Sequence, residues 1–199
     1  AIARLSPRRA ALAGLLWGVL AAYGCGWVLP GMVASYFEQP LWLGWLVFGV
    51  VATLLAGVYF GAFTAWAAWL AGGGRAGPLA LAAGWTACEL GRASLIVGNP
   101  WAMLGYSQVD VPILVQVADL GGPYAPTFVI VAVNAALASL VAAELRGRRP
   151  RVAIAAVGVL LAATLGYSAD RLGTAPGGER AVGVADVQSG HALPSPLRP

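Results

Sequence analysis

The sequence predicts an all-α integral membrane protein, a polytopic bundle of about five transmembrane helices with a short extracytoplasmic tail. Of its 199 residues, 59% are hydrophobic and only 10% are charged, whereas about a quarter of the residues in a soluble domain are charged. The hydrophobic residues form long runs, and a helix needs ~20 such residues to cross a bilayer. Basic residues cluster in short segments between these runs, which indicates orientation in a membrane rather than nucleic-acid binding.

Five apolar segments are predicted to span the membrane within a transmembrane domain at residues 1–169. They cover about residues 10–29, 41–70, 78–97, 111–143 and 152–168. At 1.5 Å per residue each of them can cross ~30 Å of hydrocarbon. The second and fourth are longer than a span requires, so we expect them to tilt, kink or project beyond the bilayer.

The first segment has an alternative interpretation. An arginine-rich start, an apolar run and then Ala22-Tyr23-Gly24-Cys25 also fit a lipoprotein signal peptide. Tyr23 suits such a cleavage site poorly, and the apolar run continues through residues 27–29. A membrane span is therefore the favoured interpretation.

Charges in the loops predict the orientation. Arg8 and Arg9 precede the first segment, Arg75 follows the second, and an arginine cluster at residues 146–151 precedes the fifth. The two loops between these basic ones carry no basic residue. The positive-inside rule then places the N-terminus in the cytoplasm and the C-terminal tail outside.

Small residues predict how two of the segments pack. Gly14 and Gly18 are four residues apart, as are Gly57 and Gly61. Residues at this spacing lie on one helix face and let two helix backbones approach closely.

The composition changes near the C-terminus. Residues 170–180 are predicted to form a polar linker, and residues 181–187 alternate valine with small or polar residues, as a strand does. One strand cannot fold alone. Residues 181–199 are therefore interpreted as the start of an extracytoplasmic domain.

Two ionisable residues lie inside the third segment. Glu89 lies ~16 Å along it, near the membrane midplane, and Arg92 is three residues further on the same helix face. A charge at that depth costs at least ~2.5 kcal/mol, so we expect this polar pair to face the bundle interior. It could bind a headgroup or position the following loop. Alternatively it could be a structural ion pair, or Arg92 could reach outward to the interface. Asn134 in the fourth segment is expected to hydrogen-bond between helices.

A turn-forming segment follows. Pro100 disfavours helix at Asn99, glycines at 98 and 105 permit turns, and Trp101 and Tyr106 suit a membrane–water interface. Irregular backbone in a membrane protein is expected only at the interface or beside a protein-lined cavity. We predict an interfacial loop on the outer side.

These motifs resemble one family. Residues 85–92 with Glu-x-x-Arg, residues 98–101 with Gly-x-Pro-Trp and residues 105–108 with Gly-Tyr-Ser-Gln look like the membrane part of apolipoprotein N-acyltransferases. The resemblance covers about residues 8–188, including the strand at 184–188. Asn99 departs from the aromatic or aliphatic residue of the family pattern, and Gly190-His191 departs from its asparagine.

The resemblance implies an eight-span membrane domain that carries a nitrilase-like domain with catalytic Glu, Lys and Cys. The cysteine takes an acyl chain from a phospholipid, the acyl donor, and passes it to the diacylglyceryl-cysteine of an apolipoprotein, the acceptor. This chain has no lysine, and Cys25 and Cys88 both fall in predicted spans. We therefore expect no catalytic residue here and no activity from this chain alone.

What remains by resemblance is a lipid-facing scaffold in a bacterial cytoplasmic (inner) membrane. Its substrate-facing loop is expected to consist of Asn99, Pro100, Trp101, Gly105, Tyr106, Ser107 and Gln108. No cofactor, metal or nucleic-acid partner is expected, since the single histidine, His191, has no ligand at suitable spacing. One alternative is a non-catalytic anchor for a partner enzyme such as a polyprenol-phosphate mannosyltransferase. A transporter would need more polar residues along the spans than Glu89, Arg92 and Asn134.

Overall fold

The computed structural model describes residues 5–95, 98, 100–144 and 151–174. Every regular element in these ranges is helical, which confirms the predicted all-α class. The α-helices, in chain order, are α1 (Pro7–Cys25), α2 (Leu29–Tyr36), α3 (Leu41–Ala52), α4 (Val58–Gly72), α5 (Pro78–Ser94), α6 (Pro112–Val115), α7 (Ala118–Gly121), α8 (Tyr124–Glu144) and α9 (Arg151–Gly173). A π-helical turn at Thr53–Gly57 joins α3 to α4, and a 3-10 helix covers Leu104–Gln108.

Three helical stretches are long and apolar enough to cross a bilayer unaided. They are Leu41–Gly72, Tyr124–Ala142 and Arg151–Gly173, and α1 with α2 adds a fourth if that bent pair counts as one span. α5 has only 17 residues, so it is too short to qualify alone. The described ranges thus contain three to four candidate spans, and the count of five stays a prediction.

The first span differs from its prediction. α1 ends at Cys25 rather than Leu29, and α2 leaves it at an angle of 70°. Gly26 closes α1 with a hydrogen bond from its N–H to the Ala22 carbonyl. Pro30 lies in the first turn of α2, where its missing N–H costs no intrahelical hydrogen bond. The chain therefore resumes as a helix where the sequence predicted a loop.

The second span is confirmed as one continuous helical stretch, Leu41–Gly72. Its 32 residues would measure about 48 Å at 1.5 Å per residue, which exceeds the ~30 Å of hydrocarbon. The π-helical turn interrupts it at Thr53, whose hydroxyl donates to the Gly49 carbonyl at 2.8 Å. Such turns often lie at functional sites.

The glycine pairs do bring α1 and α4 together. A Cβ added to Gly14 would lie 2.5 Å from the Phe60 carbonyl oxygen, and one on Gly18 would lie 3.0 Å from the Cα of Gly57. The Thr64 hydroxyl on α4 lies 2.7 Å from the Ala10 carbonyl of α1, a buried interhelical hydrogen bond. The prediction that these glycine faces permit close approach of helix backbones is confirmed, and the structure identifies α1 and α4 as the partners.

The fourth predicted span, at residues 111–143, is wrong in its first third. Residues 112–121 form the short helices α6 and α7, and the membrane-length helix α8 begins only at Tyr124. Gly122 has a φ of 57°, a conformation that glycine adopts freely, and Pro123 cannot continue the preceding helix. The Gly-Gly-Pro sequence at residues 121–123 therefore separates the segments.

α5, α8 and α9 form the second half of the bundle around a core of small residues, namely Ala82, Ala132, Ala136 and Val157. An ion pair of 2.9 Å between Asp119 and Arg171 connects α7 to α9. α9 continues to Gly173, past the predicted end at Ser168 and into the predicted linker. The rest of that linker and the predicted tail domain at 181–199 lie outside the described residues.

Candidate functional site

An apolar cleft of about 910 Å³ lies between the two halves of the bundle. Side chains of α1, α2, the α3–α4 stretch and α5 line it, and the loop after α5 contributes Trp101, Ala102 and Leu104. Trp85 of α5 packs edge-on against Phe60 and Phe63 of α4, with ring centroids 4.9 and 5.0 Å apart. Almost every lining residue is hydrophobic, and the ionisable exceptions include Glu89 and Arg92.

The Glu89 carboxylate is the centre of a buried hydrogen-bond network. The residue is only 5% exposed. One carboxylate oxygen accepts from the Leu104 backbone N–H at 2.8 Å and from the Trp85 indole Nε1 at 3.2 Å. The other accepts from the Thr127 hydroxyl at 2.8 Å. Three donors thus replace the water that this charge loses on burial.

Thr127 extends the network to the loop. Its side chain is fully buried on the first turn of α8, and its hydroxyl accepts from the Gly105 N–H at 2.8 Å. Gly105 also lies against the Pro123 carbonyl oxygen, where a Cβ would clash. Glycine is therefore required at position 105 because loop and helix touch there. Glu89 and Thr127 together bind two successive backbone amides of the 3-10 helix.

Arg92 is bound to the same loop from the other side. It is 7% exposed, and its guanidinium donates to the Trp101 carbonyl oxygen at 2.6 Å. Arg92 and Glu89 do not form an ion pair with each other, since the one ion pair within the described ranges joins Asp119 and Arg171. α5 thus presents an anion to a backbone N–H of the loop and a cation to a backbone C=O.

The loop itself turns sharply. Gly98 and Ala102 have φ values of 61° and 51°, and Met103, only 2% exposed, anchors the start of the 3-10 helix. The Ser107 hydroxyl donates to the Leu104 carbonyl at 2.7 Å, and the Gln108 amide donates to Ser107 at 2.9 Å. These two bonds lie on the exposed side of the loop.

The predicted site residues divide into two groups. Glu89, Arg92 and Gly105 converge on the buried network, whereas Trp101, Tyr106, Ser107 and Gln108 lie on the exposed side of the loop. Pro100 is exposed as well, and Asn99 lies outside the described residues.

One expectation was wrong, and one residue of the network was not predicted. Asn134 is exposed and donates to the Ile130 carbonyl of its own helix at 2.8 Å, so the predicted interhelical hydrogen bond is wrong. Thr127, which completes the Glu89 network, was missed. A single threonine in an apolar segment has no distinguishing pattern, because its importance arises only when α8 packs on α5.

The side chains of this region provide an apolar surface with a few polar groups. The free thiol of Cys88 lines the cleft beside Glu89, whose carboxylate accepts hydrogen bonds from three donors. The described residues contain no cluster of His, Cys, Asp and Glu that could hold a metal ion. The arrangement provides a long apolar volume with a polar, rigid end.

Comparisons with known proteins show the family of the chain. A family model described as the apolipoprotein N-acyltransferase N-terminal domain matches residues 1–136. The apolipoprotein N-acyltransferase of Geobacter metallireducens is 32% identical over 186 residues, which cover 89% of this chain and 34% of that protein. That of Azotobacter vinelandii is 37% identical over 165 residues, 80% of this chain and 31% of the relative. The chain spans about a third of the length of these curated relatives.

Proposed function

Because the chain belongs to the apolipoprotein N-acyltransferase family, we propose that it forms the membrane portion of an enzyme that moves an acyl chain from a phospholipid to the N-terminus of a lipoprotein. Its role in that reaction is to receive lipid from the bilayer. The acyl chain occupies the cleft, and the loop at residues 98–108 forms the floor on which the catalytic domain acts.

The observation that carries this proposal is the position of the loop at the end of the cleft. An apolar volume of about 910 Å³ is at the upper end of the ~300–1,000 Å³ typical of small-ligand sites. Its lining suits hydrocarbon, and the loop that closes it is held by buried hydrogen bonds. A rigid floor favours acyl transfer because a misplaced reacting group slows chemistry steeply.

The orientation is part of the proposal. Arg75, after α4, lines a cavity together with residues 5–7 at the start of α1. The basic residue after α4 and the arginines at the start of α1 therefore lie at the same end of the bundle. α5 begins just after Arg75 and ends before the loop. We place the basic end in the cytoplasm of a bacterial inner membrane and the loop at the opposite face.

A chimaera tests the function. Residues 1–174 of this chain replace the matching segment of the Geobacter metallireducens relative, and lipoprotein N-acylation is measured by mass spectrometry in cells that lack their own enzyme. We expect the chimaera to acylate. Replacing Trp101 and Tyr106 together with alanine should then lower the rate about tenfold or more, at equal membrane abundance.

Matched controls are available on another surface. Trp42 is exposed to the same extent as Trp101, 66%, and does not line the cleft. Tyr36 on α2 is also exposed, 76% against 47% for Tyr106, and does not line the cleft. Alanine at both of these positions should leave acylation near normal. An active chimaera whose rate does not change when Trp101 and Tyr106 are replaced would remove the loop from the mechanism.

A further inference from the structure

Arg92 has more hydrogen-bonding capacity than the described residues use. A guanidinium carries five N–H donors, and the one partner within hydrogen-bond distance among the described residues is the Trp101 carbonyl. Arg92 is nevertheless only 7% exposed. A buried cation without a paired anion is costly, because water no longer solvates it.

Glu89 does not neutralise this cation by contact. Its two oxygens are engaged by the Leu104, Trp85 and Thr127 donors, and no ion pair links it to Arg92 among the side chains that the structure describes. Glu89 also lines the cleft, but its two oxygens are already hydrogen-bonded, whereas the guanidinium keeps donors that the described residues do not use.

The position of Arg92 fits the end of an amphiphile. It lines the cleft, whose other walls are almost entirely apolar. It also lies in the last turn of α5, two residues before that helix ends at Ser94. A ligand that satisfies both features has a hydrocarbon body and an anionic group at one end.

We propose that Arg92 binds the phosphate of a phospholipid whose acyl chains occupy the cleft. The planar guanidinium presents paired donors that match phosphate oxygens, with stronger, charge-assisted hydrogen bonds. The Trp101 carbonyl fixes the guanidinium while leaving its other donors for the lipid. This inference rests on the proposed acyl cleft and specifies which part of the substrate the membrane domain recognises.

The test measures lipid binding to the purified 199-residue chain in neutral detergent by native mass spectrometry. The two lipids carry identical acyl chains, and one is phosphatidylglycerol, with a phosphodiester, while the other is uncharged diacylglycerol. We expect phosphatidylglycerol to bind about tenfold tighter, as charge-assisted hydrogen bonds require. Equal affinity for the two lipids in the wild-type chain would overturn the assignment.

Variants locate the effect. Arg92→Gln should lower phosphatidylglycerol affinity to that of diacylglycerol, and Arg92→Lys should keep part of the preference because it retains the charge but not the planar fork. Arg171→Gln, at an exposed ion pair, is the control and should not alter the preference. A preference that survives in Arg92→Gln would assign the phosphate to another residue and contradict the proposal.

Two remaining outcomes separate the hypotheses. Inorganic phosphate that binds at Arg92 as tightly as the lipid would identify a site for a soluble anion and overturn the lipid assignment. If neither lipid binds, the acyl cleft of the proposed function fails together with this inference. If both bind equally, the cleft stands and only the role of Arg92 falls.

Discussion

Replacing Glu89 with glutamine tests whether a carboxylate that only accepts hydrogen bonds holds the loop in place. The wild-type oxygens accept from Leu104, Trp85 and Thr127. Glutamine has the same shape, but an NH2 group replaces one acceptor oxygen. The single glutamine oxygen can still accept from Leu104 and Trp85, but the NH2 group then faces Thr127, whose hydroxyl can no longer donate to residue 89. The network loses one hydrogen bond and the charge that strengthens the others, so the loop should open more often.

The magnitude follows from one lost interaction. A hydrogen bond to a charged acceptor contributes about 1.5–3 kcal/mol, and an unsatisfied buried donor costs a similar amount. Taking about 2 kcal/mol for the local opening, and 1.36 kcal/mol per factor of ten, exchange should accelerate about 30-fold. Hydrogen–deuterium exchange of peptides that cover residues 102–106 measures this directly, because the Leu104 and Gly105 amides are the bonded donors.

The matched control is Glu38→Gln, which removes the same charge from an exposed position between α2 and α3. It should leave exchange in the loop unchanged. Wild-type protection in a folded Glu89→Gln chain would refute the reasoning, because it would mean that the network does not depend on an acceptor-only side chain. A similar acceleration in both variants would point instead to the net charge of the chain.

Two other predictions concern the bundle and its orientation. Gly14→Ala should destabilise the solubilised chain by about 1–3 kcal/mol, because the added methyl group overpacks against α4. The control, Gly158→Ala on α9, should be neutral or stabilising, because no atom lies within 4 Å of the added Cβ. Equal unfolding midpoints for the two variants would contradict the close packing of α1 on α4. Topology reporters fused before Ala1 and after Pro199 should report opposite sides of the membrane, as five spans require, and a common side would disprove the proposed arrangement.

Features that depend on nearby residues could be predicted from the sequence. The glycine pairs indicate that the first two spans pack closely in the bundle, because a spacing of four defines one helix face, but they do not identify the partner helix. The long second span follows from composition alone. The hydropathy pattern did not predict the break in the fourth segment, because the apolar residues on both sides outweigh the Gly-Gly-Pro at residues 121–123. The 70° bend after Cys25 was missed for the same reason.

The site residues also differ in how far the sequence predicts them. Glu89 and Arg92 stand out because a charge in an apolar segment is expensive and needs a reason. Their partners do not, because the Leu104 amide and the Trp101 carbonyl are backbone groups that any residue carries. Thr127 is 38 residues from Glu89 along the chain, so only the packing of α8 on α5 reveals it. The prediction for Asn134 was wrong because a polar side chain in a span can hydrogen-bond to its own helix as well as to a neighbouring one.

The spacing of the two motifs has a physical cause. A loop that leaves helical geometry inside a membrane protein exposes backbone N–H and C=O groups that lipid cannot satisfy. α5 supplies one side chain of each sign, three residues apart on one face. The carboxylate of Glu89 takes the Leu104 N–H, and the guanidinium of Arg92 takes the Trp101 C=O.

Exchanging the two residues would present a donor to a donor and an acceptor to an acceptor, so their order is as necessary as their charges. The Glu-x-x-Arg and Gly-x-Pro-Trp sequences are therefore halves of one structural unit. The same unit leaves a cation at the end of the cleft, and a phospholipid headgroup would complete it.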